Sequence, residues 1–240
     1  MKIAGSLFLL LPASAFAVAA AQPVELSSVR FPTLPLSVRR PVDFIPVSWK
    51  AVTIKSGDLN GDGRSDTAIL MRMTDPANIK PVESNPYYKQ DDTNPYMLAV
   101  GLAVPGGYAL AATNHDLFPS ETAPIHGDTP PDAGSVTIVR GTLNLSFDHL
   151  RGYDRFRFRW NGKAFALIGW DCGGIAGGSI FGVSANYLTR RARIERGEVG
   201  KDRSDFWTVH IRAGKRPTLD ETDWEYGWTG KDVHGNDLTC

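Results

Sequence analysis

Residues 154–168 place the strongest local constraint on the fold. Over 154–160, aromatic and arginine side chains alternate strictly, which matches the two-residue period of a β-strand. The aromatic residues share one face and the arginines share the other: Phe156, Phe158 and Trp160 against Arg155, Arg157 and Arg159. Asn161-Gly162 follows, and this dipeptide favours a type I′ turn because both residues tolerate positive φ. Together with the apolar run at 163–168, the segment predicts a β-hairpin with a solvated arginine face, or alternatively an arginine stripe that binds a ligand.

Short apolar runs bounded by turn residues recur along the rest of the chain. They predict further strands at 51–55, 67–71, 96–103, 108–113, 135–140, 142–147, 181–188, 190–195 and 206–212. Two polar, proline-containing stretches, 74–95 and 114–133, predict long irregular loops. No stretch has the period of a long amphipathic helix. The predicted class is therefore all-β, mainly antiparallel, with hairpins as the building unit.

The N-terminal segment has the pattern of a secretory signal peptide. Lys2 precedes an apolar run over 3–21, and small residues, Ala19 and Ala21, come directly before Gln22. Cleavage after Ala21 is expected, which excludes 1–21 from the fold. A retained membrane anchor fits less well, because polar and helix-breaking residues interrupt the run and no later stretch has the roughly 20 apolar residues that span a bilayer. We expect a periplasmic or secreted protein without a stable membrane anchor.

Five prolines divide the segment 22–48, and proline lacks the amide donor that a helix interior needs. The segment is predicted to be an extended lead-in on the surface, followed by a single β-rich domain over 49–240. The chain has 26 basic and 26 acidic residues. Nucleic-acid and anionic-membrane binders need clustered positive charge, so this balance argues against both classes.

Cys172 and Cys240 are the two cysteines of the chain. In an oxidising compartment two thiols tend to pair, so a disulfide that closes a long loop is expected. The alternative makes Cys172 a nucleophile. That alternative is weaker, because neither a neighbouring histidine nor a helix N-terminus indicates a lowered thiol pKa.

The loop at 58–66, Asp-Leu-Asn-Gly-Asp-Gly-Arg-Ser-Asp, joins two predicted strands and has the spacing of a calcium loop. Ca²⁺ takes about six to eight oxygen ligands, and acidic or amide side chains at every second position supply them in a compact turn. Without a cation the carboxylates would repel one another. A metal-free Asx turn is the alternative, and Mg²⁺ is disfavoured because a cage made mostly of protein oxygens suits the larger ion. The predicted ligands are the side chains of Asp58, Asn60, Asp62 and Asp66 and the main-chain carbonyl of Arg64.

An EF-hand is excluded, because Ile69 occupies the loop position that requires a bidentate glutamate. The loop instead resembles the hairpin loop of integrin α-subunit propellers, known in bacteria as FG-GAP or VCBS-type repeats. It occurs once, so a propeller does not follow. A wider resemblance to secreted FG-GAP-like proteins covers about 57–196 and implies export and a calcium-bearing β fold, with no established reaction. The matching segments are Gly57–Gly63, Asn94–Pro95, Gly107–Ala112, Phe156–Arg159, Phe165–Gly169 and Ser184–Thr189.

No residue is predicted to be catalytic. The chain lacks a Gly-x-Ser-x-Gly motif, and its five histidines never have the spacing of a zinc-binding helix. The leading hypothesis is therefore a non-catalytic envelope binding protein with an unknown protein or glycan ligand. The alternative uses the acidic-aromatic segment 220–228, whose carboxylates and rings suit either a glycoside hydrolase or a carbohydrate-binding module. Its candidate residues are Asp220, Glu221, Asp223, Glu225, Trp224, Tyr226 and Trp228.

Overall fold

A computed structural model describes residues 30–81, 90–118, 130–222 and 230–240. These ranges form fourteen β-strands, and helical structure within them is limited to 3₁₀ turns at Pro41–Phe44, Pro76–Asn78 and Leu219–Glu221. The predicted all-β class is confirmed. Within the same ranges, no helix has the length and apolar character needed to cross a bilayer.

The strands follow the chain in this order: β1 (Ser37–Val38), β2 (Trp49–Gly57), β3 (Asp66–Met73), β4 (Ile79–Pro81), β5 (Gln90–Asp92), β6 (Tyr96–Val104), β7 (Gly107–Asn114), β8 (Val136–Val139), β9 (Thr142–His149), β10 (Gly152–Trp160), β11 (Phe165–Ala176), β12 (Ser179–Asn186), β13 (Arg191–Glu198) and β14 (Asp205–His210). Five of them form one antiparallel sheet in the order β1-β7-β6-β3-β2. Seven form a second antiparallel sheet in which β8 to β14 lie in chain order. Strands β4 and β5 make a separate two-stranded ribbon.

One apolar core draws side chains from both large sheets. Leu70 and Leu98 come from the five-stranded sheet, and Leu145, Phe158 and Leu167 come from the seven-stranded sheet; all five are fully buried. Alternation along each strand delivers these side chains to one face, as the period of two requires. The burial of these apolar side chains is the main stabilising contribution to the fold.

A second apolar cluster covers the opposite face of the five-stranded sheet. Ile69 and Met71 of β3 point into it, whereas their neighbours Ala68 and Leu70 point into the shared core. The proline-rich lead-in supplies its cover, because Phe44 is fully buried against these residues. Most of the described lead-in is exposed or half-buried, and the expected surface position fails only at Leu34 and Phe44, which are buried.

The predicted hairpin is present as β10 and β11, and Phe156 and Phe158 face the core as expected. The turn differs from the prediction. The connection covers 161–164, and only Gly162 has positive φ, at 94°. The Asn161 side chain accepts hydrogen bonds from the backbone N–H of Lys163 and Ala164 at 3.0 and 2.9 Å. The Asn161 side chain therefore satisfies two backbone N–H groups within the connection, which is an Asx turn and not the predicted type I′ turn.

The predicted disulfide between Cys172 and Cys240 is confirmed. Its Cα atoms lie 6.1 Å apart, and the bond joins residues that are 68 positions apart in sequence. Cys172 is buried in the shared core, whereas Cys240 is exposed. The bond therefore fastens the C-terminal segment to β11.

The predicted loop at 74–95 is more ordered than expected in its described part. It holds a 3₁₀ turn and the β4–β5 ribbon. The amide of Asn94, which is buried, donates to the carbonyl of Asp75 at 3.1 Å and accepts from the N–H of Asp75 at 3.0 Å. Most of the second predicted loop, at 119–129, lies outside the described residues.

Candidate metal centre

The loop at 58–65 closes the hairpin between β2 and β3. Gly57 and Asp66 are paired across the ladder, so the strand ends hold both ends of the loop. Gly61 and Gly63 reverse the chain with φ values of 81° and 80°. An L side chain rarely adopts this conformation, so glycine at these two positions makes the compact turn possible.

Side-chain oxygens point inward to the backbone of the loop. Both carboxylate oxygens of Asp58 accept hydrogen bonds, from the N–H of Gly61 at 2.7 Å and from that of Gly63 at 2.9 Å. Asn60 accepts from Asp62 N–H at 3.0 Å, and Asp62 accepts from Arg64 N–H at 2.8 Å. The N–H groups of Gly63 and Gly61 hold the pKa of Asp58 below its usual range, so this carboxylate carries its charge at neutral pH.

Asp66 has a different environment from the other predicted ligands. It is fully buried, and its Oδ2 atom accepts from the N–H of Leu59 at 2.8 Å. Its Oδ1 atom accepts from the N–H of Ala103, near the end of β6, at 2.7 Å. Each oxygen of an ionised carboxylate has a second lone pair, so these bonds leave acceptor capacity.

The loop also lies against the turn between β8 and β9. A Cβ placed on Gly57 would lie 2.7 Å from Cγ2 of Ile138, and one placed on Gly141 would lie 3.7 Å from the carbonyl oxygen of Asp58. Leu59, in the middle of the acidic sequence, is buried in the shared core. The loop therefore joins three parts of the molecule: its own hairpin, the end of β6 and the β8–β9 turn.

The residues present fit a hard divalent cation in the kind of donor that they offer. All five predicted ligands supply oxygen, and no lysine, arginine or histidine of the described chain forms an ion pair with Asp58, Asp62 or Asp66. Three carboxylates within nine residues thus lack a protein counter-charge. The described ranges contain no cluster of three or more His, Cys, Asp or Glu side chains arranged to hold a metal. Asp58, Asp62 and Asp66 are thus not gathered into such a cluster in the described structure, and the predicted set also includes the Asn60 amide and the Arg64 carbonyl.

The structure brings together a histidine and an aspartate that no sequence motif connects. Nε2 of His149 lies 3.0 Å from Oδ2 of Asp154, and the indole N–H of Trp170 donates to Oδ1 of Asp154 at 2.9 Å. His149 ends β9 and Asp154 lies in β10, on the other side of the short turn between these strands. Their separation of five residues in sequence was the signal that could have suggested the contact. They line a cavity of about 360 Å³ beside the disulfide. The described lining of this cavity contains no serine, threonine or free thiol.

A cleft crosses the outer face of the seven-stranded sheet. Gly182 of β12 lines its floor, whereas the paired Gly173 of β11 lies under the Tyr153 ring, whose Cε1 is 3.0 Å from where a Cβ would be. The cleft has a volume of about 180 Å³, and Tyr153 and Phe206 are among the residues that line it. Two arginines cover these rings: the guanidinium of Arg155 lies 4.7 Å from the centre of Tyr153, and that of Arg193 lies 4.1 Å from the centre of Phe206.

The arginine face of the predicted hairpin is only partly solvated. Arg157 forms an ion pair with Asp171 at 2.8 Å, while Arg155 stacks on Tyr153 as described above. Asp171 also accepts a hydrogen bond from the hydroxyl of Ser184 on β12. Arg155 and Arg157 of the arginine face are therefore held by contacts to Tyr153 and Asp171, next to the cleft.

The acidic-aromatic segment is described only at its start. Asp220 is exposed. Lys215 binds the carboxylate of Glu221 at 2.5 Å, and this hydrogen bond is the main cause of a lowered pKa for Glu221. The remaining candidates, at 223–228, lie outside the described residues.

Comparison with known proteins finds no matching family model, no matching curated protein and no matching solved structure.

Proposed function

We propose that this chain is an exported calcium-binding β protein that acts as a non-catalytic binding module in the cell envelope or outside it. The observation that carries the proposal is the acidic loop at 58–66, whose carboxylates have no cationic partner in the described chain. The resemblance to FG-GAP or VCBS-type loops supports the same reading. The placement outside the cytoplasm is supported by the N-terminal apolar segment and by the disulfide.

The proposed ligands to Ca²⁺ are the side chains of Asp58, Asn60, Asp62 and Asp66 and the carbonyl of Arg64. When bound, the ion neutralises the carboxylates and offers no redox chemistry. The loop backbone already positions the acceptors, because N–H groups of Gly61 and Gly63 hold the Asp58 carboxylate.

The role that we assign to the ion is structural. Paired strands hold both ends of the loop, and Asp66 connects it to β6. A loop fixed in this way has little freedom to move when the ion binds or leaves, so it suits a clamp better than a sensor. Extracellular calcium modules function with dissociation constants of roughly 10⁻⁴–10⁻³ M, and a clamp of this affinity would be filled outside the cytoplasm.

Thermal unfolding with and without calcium tests the metal site. For a dissociation constant near 1 mM, 10 mM Ca²⁺ is expected to stabilise the fold by about 1.4 kcal/mol. In a chain of this size that corresponds to a rise in Tm of roughly 3–5 °C. Mg²⁺ at the same concentration is expected to give a smaller rise.

Variants of the loop provide the control. Asp58→Asn combined with Asp62→Asn is expected to abolish the calcium-dependent rise, because it removes two of the charged ligands. Asp205→Asn, an exposed carboxylate on β14, is expected to retain it. An absent rise in the wild type, or an equal rise in the loop variant, would reject the metal site.

The binding role is assigned to the cleft on the seven-stranded sheet. A glycan is the favoured ligand class among the candidates, because Tyr153 and Phe206 line the cleft with charged groups beside them, and Phe206 is 49% exposed although Arg193 covers one face of its ring. A glycan array with the wild type and with Phe206→Ala tests this assignment. Binding that Phe206→Ala weakens supports a glycan; an array without any bound sugar rejects it and leaves a protein ligand.

A further inference from the structure

A second cavity, of about 290 Å³, lies between the turn that joins β12 to β13 and the segment that follows β14. This volume is close to the lower end of small-molecule pockets, which hold roughly 300–1,000 Å³. Three arginines, Arg190, Arg212 and Arg216, line it together with apolar surface from Leu188 and Ile211. The cavity is distinct from both the calcium loop and the glycine-floored cleft.

The positive charge of this cavity has no counterpart in the described chain. No carboxylate is among its described lining residues, and none of the three arginines forms an ion pair there. Nη1 of Arg216 is also buried without a hydrogen-bond partner among the residues that the structure describes. A buried charged donor without an acceptor is costly, because the group has lost its water and gained nothing in return.

Acidic residues in the nearby C-terminal segment are already engaged. Glu221 binds Lys215 and accepts from the N–H of Thr218 at 3.0 Å. Asp237 binds Lys231 at 2.6 Å, and Asp232 accepts from its own turn. Each of these described carboxylates therefore already has a partner other than the three arginines.

Arg190 lies at a turn position whose backbone conformation favours glycine. Arg190 has φ of 53°, a left-handed conformation that glycine adopts without strain. The Asn186 side chain holds the turn by accepting from the N–H of Leu188 and Thr189, each at 3.0 Å. The N–H of Ile211 donates to the Arg190 carbonyl at 3.0 Å. Every one of these contacts would survive glycine at position 190, so the fold itself does not require the guanidinium.

We propose that this cavity binds a phosphate or sulfate group, with Arg190, Arg212 and Arg216 as its ligands. A guanidinium presents parallel N–H donors that match the oxygens of a tetrahedral anion, and such charge-assisted hydrogen bonds are the strong ones. Where the phosphate or sulfate group belongs to a larger molecule, Leu188 and Ile211 contact the apolar portion attached to it. The proposal goes beyond the calcium site and does not depend on it.

Isothermal titration calorimetry of the full chain with inorganic phosphate tests the site. The titration is made in a calcium chelator at constant ionic strength, with sulfate and acetate as separate arms. Saturable binding of phosphate or sulfate is expected, with acetate weaker. The chelator separates the two proposals, because a failed calcium site leaves this titration unchanged.

Three variants decide whether the arginines are responsible. Arg216→Met and Arg190→Gly are each expected to weaken phosphate binding at least about tenfold, the effect of losing one charged hydrogen bond. Arg203→Met removes the same charge from an exposed position outside the cavity and is expected to bind as the wild type does. Unfolding in phosphate-free buffer is expected to show Arg190→Gly as stable as the wild type, so this variant remains a valid test even if Arg216→Met does not fold.

Failure of the wild type to bind phosphate or sulfate saturably at millimolar concentration would overturn the proposal. Equal affinity of Arg190→Gly and the wild type would overturn the role of the turn arginine. Acetate bound as tightly as phosphate would overturn the assignment to a tetrahedral anion.

Discussion

The carboxylate of Asp66 accepts a hydrogen bond from the backbone N–H of Ala103, 37 residues further along the chain, at 2.7 Å. Its second oxygen accepts from the N–H of Leu59 at 2.8 Å, and the side chain is fully buried. One carboxylate therefore fixes the start of the acidic loop and the end of β6 at the same time. It does so through protein contacts that do not require a metal.

We expect Asp66→Asn to destabilise the fold even in a calcium chelator. The amide nitrogen of asparagine would face a backbone N–H, and a buried donor without an acceptor costs roughly 1–3 kcal/mol, more where a charged group was involved. Urea unfolding measures the change. The matched control is Asp62→Asn, an exposed loop carboxylate, which is expected to change stability by no more than about 0.5 kcal/mol under the same conditions. Equal effects of the two variants would contradict this account.

The lead-in is expected to be part of the folding unit. Phe44 is fully buried, so Phe44→Ala should lower the free energy of unfolding by about 3–5 kcal/mol. Val42, in the same 3₁₀ turn, is 46% exposed, and Val42→Ala should cost far less. Chemical denaturation compares the two. A small effect of Phe44→Ala would mean that the lead-in does not contribute to the cooperative core.

A double-mutant cycle tests the contact beneath Phe44. A Cβ on Gly101 would lie 2.8 Å from Cε2 of Phe44, so Gly101→Ala is expected to overpack the wild type by about 1–3 kcal/mol. In the Phe44→Ala background the closest contact is gone and Cγ2 of Thr67, at 3.2 Å, remains near the added Cβ, so the same substitution should cost clearly less. The two substitutions should therefore couple, and strictly additive effects would argue against the contact.

Removal of the disulfide is expected to destabilise the protein by about 2–4 kcal/mol, because the bond restricts the unfolded chain over a long loop. Cys240→Ser is the suitable variant, since it leaves the buried Cys172 as a small apolar side chain. Its Tm is expected to equal that of the reduced wild type. A reducing agent should have no further effect on the variant.

The C-terminal turn should give a defined pH dependence. Asp232 accepts from the side chain of Asn236 at 2.9 Å, and this bond, with N–H bonds from Asn236 and His234, holds its pKa below the ordinary value of 3.8. A lowered pKa in the folded state contributes stability above the unfolded pKa and loses it as the pH falls through the folded pKa. The difference in unfolding free energy between the wild type and Asp232→Asn should therefore be constant above about pH 5 and shrink below about pH 4. A difference that does not vary with pH would contradict the role of the charge.

Local sequence patterns determined the strands and hairpins well. Alternation over 154–160 depends only on the geometry of an extended chain, so the core face of β10 could be predicted from its own residues. The turn after it could not, because Asn-Gly supports several turn types. The Asn161 side chain, with hydrogen bonds to two backbone N–H groups, is part of a four-residue connection instead.

The lead-in shows where local reasoning fails. Its prolines predict an extended chain, and the described part also holds a 3₁₀ turn at Pro41–Phe44; they carry no information about which surface that chain covers. The buried position of Phe44 depends on an exposed apolar face of the five-stranded sheet, formed by residues such as Ile69 and Met97. That face exists only after β3 and β6 have paired.

The sequence by itself determined an all-β chain, the disulfide pair and the oxygen-rich loop at 58–66, because each depends on neighbouring residues or on the count of cysteines. Tertiary structure alone decided the rest. Asp66 reaches Ala103, His149 meets Asp154, and arginines from two separate segments share one cavity. These relationships depend on strand order and on the return of the C-terminal segment, which bring residues together at distances that no local pattern encodes.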